Sequence, residues 1–348
     1  MDFALSDEQR MIADTAREFF AEQATSARTR AAMAGDGIDR SLWASFCGEM
    51  GFAGVFVPEH AGGVGLGMIE FACVAEAAGG QVAAIPLLGN AMGLAALLAD
   101  GGEQSAGQIE ALVAGSAIAA VATSDQLTVS GERLSGDAGL VAHGAIADLL
   151  LVIASSEAWL VRSSDAGVII TPHATIDQTR PLATVRFDEA VATPLGANAA
   201  TAALSTGLLC LAAEALGGAQ AALDRTVAFS LERRQFGRQI GSFQAYKHRL
   251  ADRAIEIEQA RSAVYWAACA LDSESVEAEI ALPAAKSFCA DAFFRAAADM
   301  IQLHGGIGFT WEHDAHLFFK RARSIQTLLG SGDLHRERIA ALVLDRAA

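Results

Sequence analysis

Apolar and polar residues change rhythm twice along this chain, and the changes mark three stretches. From residue 1 to about 118 the spacing is that of amphipathic helices. Ser6 stands before Asp7, Glu8 and Gln9, a helix-start signature, and Met11, Ile12, Ala16, Phe19 and Phe20 then share one face. Leu42, Trp43, Phe46 and Met50 predict a second helix, and Met68 to Ala78 a third. From about 119 to 199 the runs shorten to AIAAVATS, DLLLVIA, EAWLVR, GVIITP and ATVRFDEA, parted by Gly, Asp and Ser. Such runs predict a small β domain, and without alternating helices they argue against a doubly wound nucleotide fold. From about 200 to 348 helix returns. One helix is expected from Ala202 to Arg233. A second carries Phe243, Tyr246, Leu250, Ala254, Ile257, Val264, Ala268 and Leu271 in steps of three and four, with a gap at Arg261. A third is expected over about 276 to 303 and a short last one after Asp333, with Pro283 as an N1 residue or a kink. The expected fold is α+β, ordered helix, β, helix, and the apolar bundle predicts an oligomer.

Composition narrows the partners. Of 348 residues 52% are hydrophobic and 19% charged, enough for a large core. A net charge of -16 repels nucleic acid and acidic membranes, so an anionic ligand needs local basic residues. Cys47, Cys73, Cys210, Cys269 and Cys289 are widely spaced, which reads as buried reduced thiols in a cytoplasmic protein. The N-terminal twenty residues mix charge with apolar groups, unlike a signal peptide. Thr201 to Leu223 is the most apolar stretch. It contains Glu214 and reads as a core helix, with no membrane insertion expected.

Three motifs hold candidate chemistry. The glycine run Gly62 to Gly67 follows a turn and lacks G-x-G-x-x-G spacing, so it reads as an interhelical loop. Glu232 to Arg238 is a basic cluster at a helix end. It either complements the helix dipole or forms a guanidinium fork for a pyrophosphate, with Phe236 packing nearby. Gln302 to Phe309 ends a helix in glycines, as a plain C-cap or as a turn where backbone meets a flat or phosphorylated ligand. His304 reads as a structural donor. No metal-ligand spacing, G-x-S-x-G or triad arrangement stands out, and no metal is expected.

Taken together, LWASFCGEMGFAGVFVPEHAGGVGLG, VRFDEAVATPLG, ALDRTVAFSLERRQFGRQIGSFQAYKHRLAD and QLHGGIGFTWEHDAHLFFKRARSIQ resemble the acyl-CoA dehydrogenase family over nearly the whole chain. The resemblance implies an N-terminal α-helical domain (1–118), a middle β-barrel-like domain (119–199) and a C-terminal four-helix bundle (200–348). It also implies assembly as dimers of dimers, FAD bridging two subunits, an acyl-CoA substrate and an electron-transfer acceptor protein. Carried over by position, Arg233, Phe236 and Gln244 would meet FAD from the neighbouring chain, and Gln302, Gly305 and Gly306 would line the same portion. Ser331 and Asp333 would contact it from the other side. In this family a carboxylate removes the α-proton while the flavin takes a hydride from the β-carbon.

The chain departs from the pattern where the base belongs. The usual Tyr-Glu-Gly-Thr segment is matched by Leu328, Leu329, Gly330 and Ser331, so Leu329 stands at the base position. The alternative site of the base, on the first helix of the bundle, is Gly207. In the middle domain Ala122 to Asp125 and Leu140 to Gly144 replace the segments that flank the flavin ring. The departures resemble the shortened subunits of heterotetrameric steroid side-chain acyl-CoA dehydrogenases, in which a partner brings the base. Two other readings stay open: a homotetramer with a relocated base such as Glu214, with Glu312 and Asp314 as weaker candidates, and a flavin-free structural paralogue.

Overall fold

The computed structural model describes residues 5–102, 105–154 and 156–347. Residues 1–4, at the head of the segment judged unlike a signal peptide, lie outside it. The backbone gathers into two compact units, neither continuous in sequence: 27–67 with 84–207, and the described residues up to 26 with 68–83 and 208–348. The three expected stretches follow chain order, whereas this grouping follows contacts.

The first unit is mixed. Its short helices include α2 (Ser26–Ala34, from Ala27 on), α3 (Arg40–Ala44), α5 (Leu87–Asp100) and α6 (Ala106–Val113). The strands are β1 (Ala119–Thr123), β2 (Thr128–Ser130), β3 (Arg133–Ala142), β4 (Leu149–Ala154), β5 (Glu157–Arg162), β6 (Val168–Pro172), β7 (Leu182–Val191) and β8 (Thr193–Pro194). One sheet runs β1-β4-β5-β8 and the other β2-β3-β7-β6, with only β1 and β4 parallel among the described pairs. Both sheets feed one core, in which Leu150 and Val152 of β4 meet Leu134 of β3 and Phe187 of β7. That is the barrel-like arrangement expected. On its other face β4 places Leu149 with Leu94, Leu97, Ile109 and Leu112 of α5 and α6. Burial on both faces explains why this strand reads LLLVIA without alternation.

The glycine run packs against its own unit. Val64, Gly65 and Leu66 donate their N–H groups to Gly54, Val57 and Val55, and a side chain on Gly63 would overlap the Val57 carbonyl. Close backbone packing accounts for Gly63 without any phosphate.

The second unit is helical. α1 (Asp7–Gln23) opens with a capping box: Ser6 Oγ accepts from Gln9 N, and Ser6 N donates to Gln9 Oε1. Ala13, Ala16, Phe19 and Phe20 form its buried face, while Met11, expected there, points to solvent. α4 (Met68–Gly80) starts on the Asp272 carboxylate, which accepts from Met68 N and Ile69 N at 2.6 and 3.2 Å. The long helices are α7 (Ala199–Glu232), α8 (Gln244–Asp272) and α9 (Ala278–His304). α10 (Ala315–Thr327) and α11 (Gly332–Ala347) close the chain. α10 escaped the periodicity because a buried arginine, Arg321, sits on its apolar face. Pro283 lies inside α9 and not at its first position. α7 is apolar and long enough to cross a membrane, yet 78% of its most apolar window is buried inside the protein.

The gap in the α8 stripe has a physical reason. Arg261 reaches Glu76 of α4 at 2.7 Å and Gln220 of α7 at 3.0 Å, and Tyr265 donates to the same carboxylate at 3.4 Å. A polar residue interrupts the stripe because it closes a buried network. α4 and α7 come close enough there that a methyl group on Gly217 would overlap the Glu76 carbonyl oxygen, and one on Gly79 the Glu214 carbonyl oxygen. Gly217→Ala should therefore lower unfolding stability by about 1–3 kcal/mol in a urea titration, although alanine favours helix. An unchanged or raised midpoint would show that the helices can part without cost.

Candidate active site and cofactor cradle

At one end of the helical unit three helix ends meet. α7 finishes at Glu232, and Arg233 follows it with an exposed side chain. The chain then makes a two-residue hairpin, β9 (Arg234–Gln235) and β10 (Arg238–Gln239), turning through Phe236 and Gly237 at φ 52° and 79°. Two left-handed residues suit such a turn, and glycine takes one at no steric cost. Ile240 N donates to Arg233 O at 2.9 Å, which ties the hairpin back to α7. Phe236 is 91% exposed, Phe243 packs edge-on to it at 6.2 Å, and the Arg238 guanidinium lies 4.0 Å over the Phe243 ring. Gln244 opens α8, exposed, and no side chain caps that helix start.

α9 ends beside them. Tyr246 of α8 donates to Leu303 O at 2.8 Å, and Phe229 of α7 stacks on His304 at 4.3 Å. The His304 Nδ1–H donates to Met300 O at 2.7 Å, so this histidine is the structural donor expected. Burial lowers its pKa and the adjacent His313 adds to the effect. Gln302 is exposed, and the turn begins at Gly305 with φ 64°. Nothing lies within 4 Å of where a side chain on Gly305 or Gly306 would start. The geometry thus brings Arg233, Phe236, Gln244, Gln302, Gly305 and Gly306 to one exposed end, with an open backbone cradle and cationic donors around it. In a cavity of about 400 Å³ beside the turn, Arg225 lies 3.6 Å from Asp314 and Ser26 donates to Asp314 at 2.6 Å.

Ser331 and Asp333 lie elsewhere. They start α11, tied to the middle of α9 by Arg336, which pairs with Asp333 at 2.7 Å and Asp291 at 3.0 Å. Lys286, earlier in α9, donates to Gly330 O. From Lys286 to Gln302 is about 24 Å along the helix axis. One polypeptide therefore holds two separated sets of candidate cofactor residues.

The turn between α10 and α11 carries Leu329, half-buried with φ 53°. Gly207 is buried within α7. Glu214 is 3% exposed, and Arg321, 1% exposed, donates to it at 3.3 Å and to Ala83 O at 3.2 Å. Removing either partner of so buried a pair costs about 3–5 kcal/mol, because the survivor keeps an uncompensated charge. The pairing with Arg321 and the capping by Lys286 join residues far apart in sequence, and neither showed in the periodicity.

The comparisons with known proteins agree with this architecture. Residues 6–116 match the acyl-CoA dehydrogenase N-terminal domain and residues 195–344 the acyl-CoA dehydrogenase C-terminal domain. Acyl-CoA dehydrogenase IpdE2 of Mycobacterium tuberculosis is 39% identical over 93% of this chain and 94% of its own. The chain belongs to the acyl-CoA dehydrogenase family. A variant of the steroid ACAD Tcur3481-Tcur3483 superposes with a TM-score of 0.91 at 29% identity, covering 98% of this chain and 99% of that one. The ChsE4-ChsE5 complex of Mycobacterium tuberculosis does so at 0.90 and 27%, covering 99% of each. This acyl-CoA dehydrogenase is accordingly an oxidoreductase of the class that acts on a CH–CH bond, and family membership implies flavin.

Within the turn region of this dehydrogenase, burial pushes the His335 pKa down to about 4, helped by the charges of Lys286 and Arg338. An unfolded histidine titrates near 6.5. The unfolded chain therefore binds a proton that the native chain refuses, and stability present above about pH 6.5 is lost as pH falls toward 4. His335→Phe should flatten that part of the stability-against-pH curve in denaturant titrations. A slope identical to wild type would assign the acid sensitivity elsewhere.

Proposed function

We propose that this chain is the base-lacking subunit of a heterotetrameric, FAD-dependent acyl-CoA dehydrogenase acting on a CoA thioester of steroid side-chain type. One observation carries the reading: leucine occupies the turn where the family presents its base, while Glu214, the fallback carboxylate, is consumed by Arg321. A partner subunit would bring the carboxylate that removes the α-proton. The names of the relatives support the substrate class and the mixed assembly, since one similar structure is a steroid ACAD and another a two-component complex.

The residues present fit FAD. Arg233 offers a guanidinium to the pyrophosphate, Gln244 adds side-chain donors at an uncapped helix start, and Gly305 and Gly306 let backbone approach. Gln302 lies on the same exposed end, where Phe236 offers an apolar ring to the cofactor or the neighbouring chain. Ser331 and Asp333, beside another part of α9, would serve a second cofactor across the subunit boundary, which accounts for two sets in one chain. When bound, FAD supplies the hydride acceptor. The electrons then pass to an electron-transfer protein, and the assembly works in the cytoplasm, where the five free cysteines stay reduced.

Gently purified protein should carry little flavin alone and full flavin when co-expressed with a base-bearing acyl-CoA dehydrogenase subunit, as read from the absorption spectrum. Arg233→Ala should weaken FAD binding to the complex about tenfold or more. Glu214→Gln should leave turnover per folded protein nearly intact. A homomer whose flavin bleaches in one turnover with acyl-CoA, or loses turnover with Glu214→Gln, would defeat the partner-dependent reading.

A further inference from the structure

Lys286 is fully buried in α9, and its Nζ donates to the carbonyl oxygens of Gln326, at 3.3 Å, and Gly330. Neither partner is a carboxylate. Asp291 on the same helix has one carboxylate oxygen engaged by Gln326 Nε2 at 2.9 Å and the other by Arg336 at 3.0 Å. An interior ammonium without a bonded counter-charge is costly. Burial pushes its pKa down to about 8, with Asp291 opposing. At neutral pH the amine stays mostly charged.

The two carbonyls show what this charge secures. Gln326 lies in the last turn of α10, whose carbonyls point at the negative end of the helix dipole and need partners. Gly330 follows Leu329, and both are left-handed, at φ 101° and 53°. For leucine that conformation costs on the order of 1–3 kcal/mol and persists only where surroundings impose it. His335 and Leu334 also pack against Gly330: a side-chain carbon there would come within 3.2 Å of His335 Nε2 and 2.9 Å of Leu334 Cδ2. The ammonium grips the turn at two carbonyls while these side chains crowd its glycine.

We propose that Lys286 is a positioning residue that, through the Gln326 and Gly330 carbonyls, holds residue 329 left-handed and sets Ser331 and Asp333 at the start of α11. The platform on which the family presents its base thus stays built with a leucine upon it. It is kept because the residues that follow still serve the cofactor, which rests on the function proposed above. The charged groups around Lys286 are Asp291 on its own helix, Arg323 on α10, and His335, Arg336 and Arg338 on α11.

The test uses the whole chain, in its complex and alone, with ¹³C-labelled leucine methyls. The Leu329 methyl signal, assigned by its loss in Leu329→Ile, should titrate with a midpoint near pH 8 in wild type and lose that midpoint in Lys286→Met. Hydrogen-exchange protection of the amides of residues 329–335 should fall about tenfold or more in Lys286→Met, with α1 and α4 unchanged. A Leu329 signal constant through pH 8 overturns the proposal, and so does unchanged protection in the variant. Should Lys286→Met fail to fold, Lys286→Gln gives the same exchange readout. If the complex with a base-bearing subunit binds no FAD, the functional reading falls while the methyl titration still judges Lys286.

Discussion

A guanidinium and a carboxylate with almost no solvent around them, Arg321 and Glu214, hold α10 against the middle of α7. Desolvating two charges is tolerable only with close pairing and further hydrogen bonds, and the Ala83 carbonyl supplies one of these. The pairing has two consequences. It anchors the middle of α10, the helix that leads into the turn bearing Leu329. It also withdraws from chemistry the carboxylate of α7 that lies nearest the alternative base position.

Two other buried polar groups of the helical unit follow the same rule. Glu76 collects Arg261 and Tyr265, and Lys286 caps the end of α10. Each satisfies groups that would otherwise be stranded, and each joins elements distant in sequence. Groups of the proposed dinucleotide site are placed oppositely: Arg233, Gln244, Gln302 and the two glycines are exposed at helix ends.

Much of this was legible beforehand. The Ser6 capping box, the short strands between 119 and 199 and the long helices α7 to α9 all follow from local pattern. Arg261 was visible as a break in a stripe but not as the hub of a network, since its partners Glu76 and Gln220 lie on other helices. α10 was hidden because a buried arginine reads as a surface residue. Met11 fits an idealised helix face yet faces solvent, since the burial of α1 is set by what packs on it.

The sequence by itself determined the elements, their order, the glycines that close approaches require and the residue types available at each helix end, because these depend on neighbours within a few positions. Only the tertiary structure decided which charges are buried and paired, and that the turn bearing Ser331 packs beside Lys286 of α9, well away from Gln302. Desolvation and ion pairing act through space, and they depend on contacts that no local periodicity encodes.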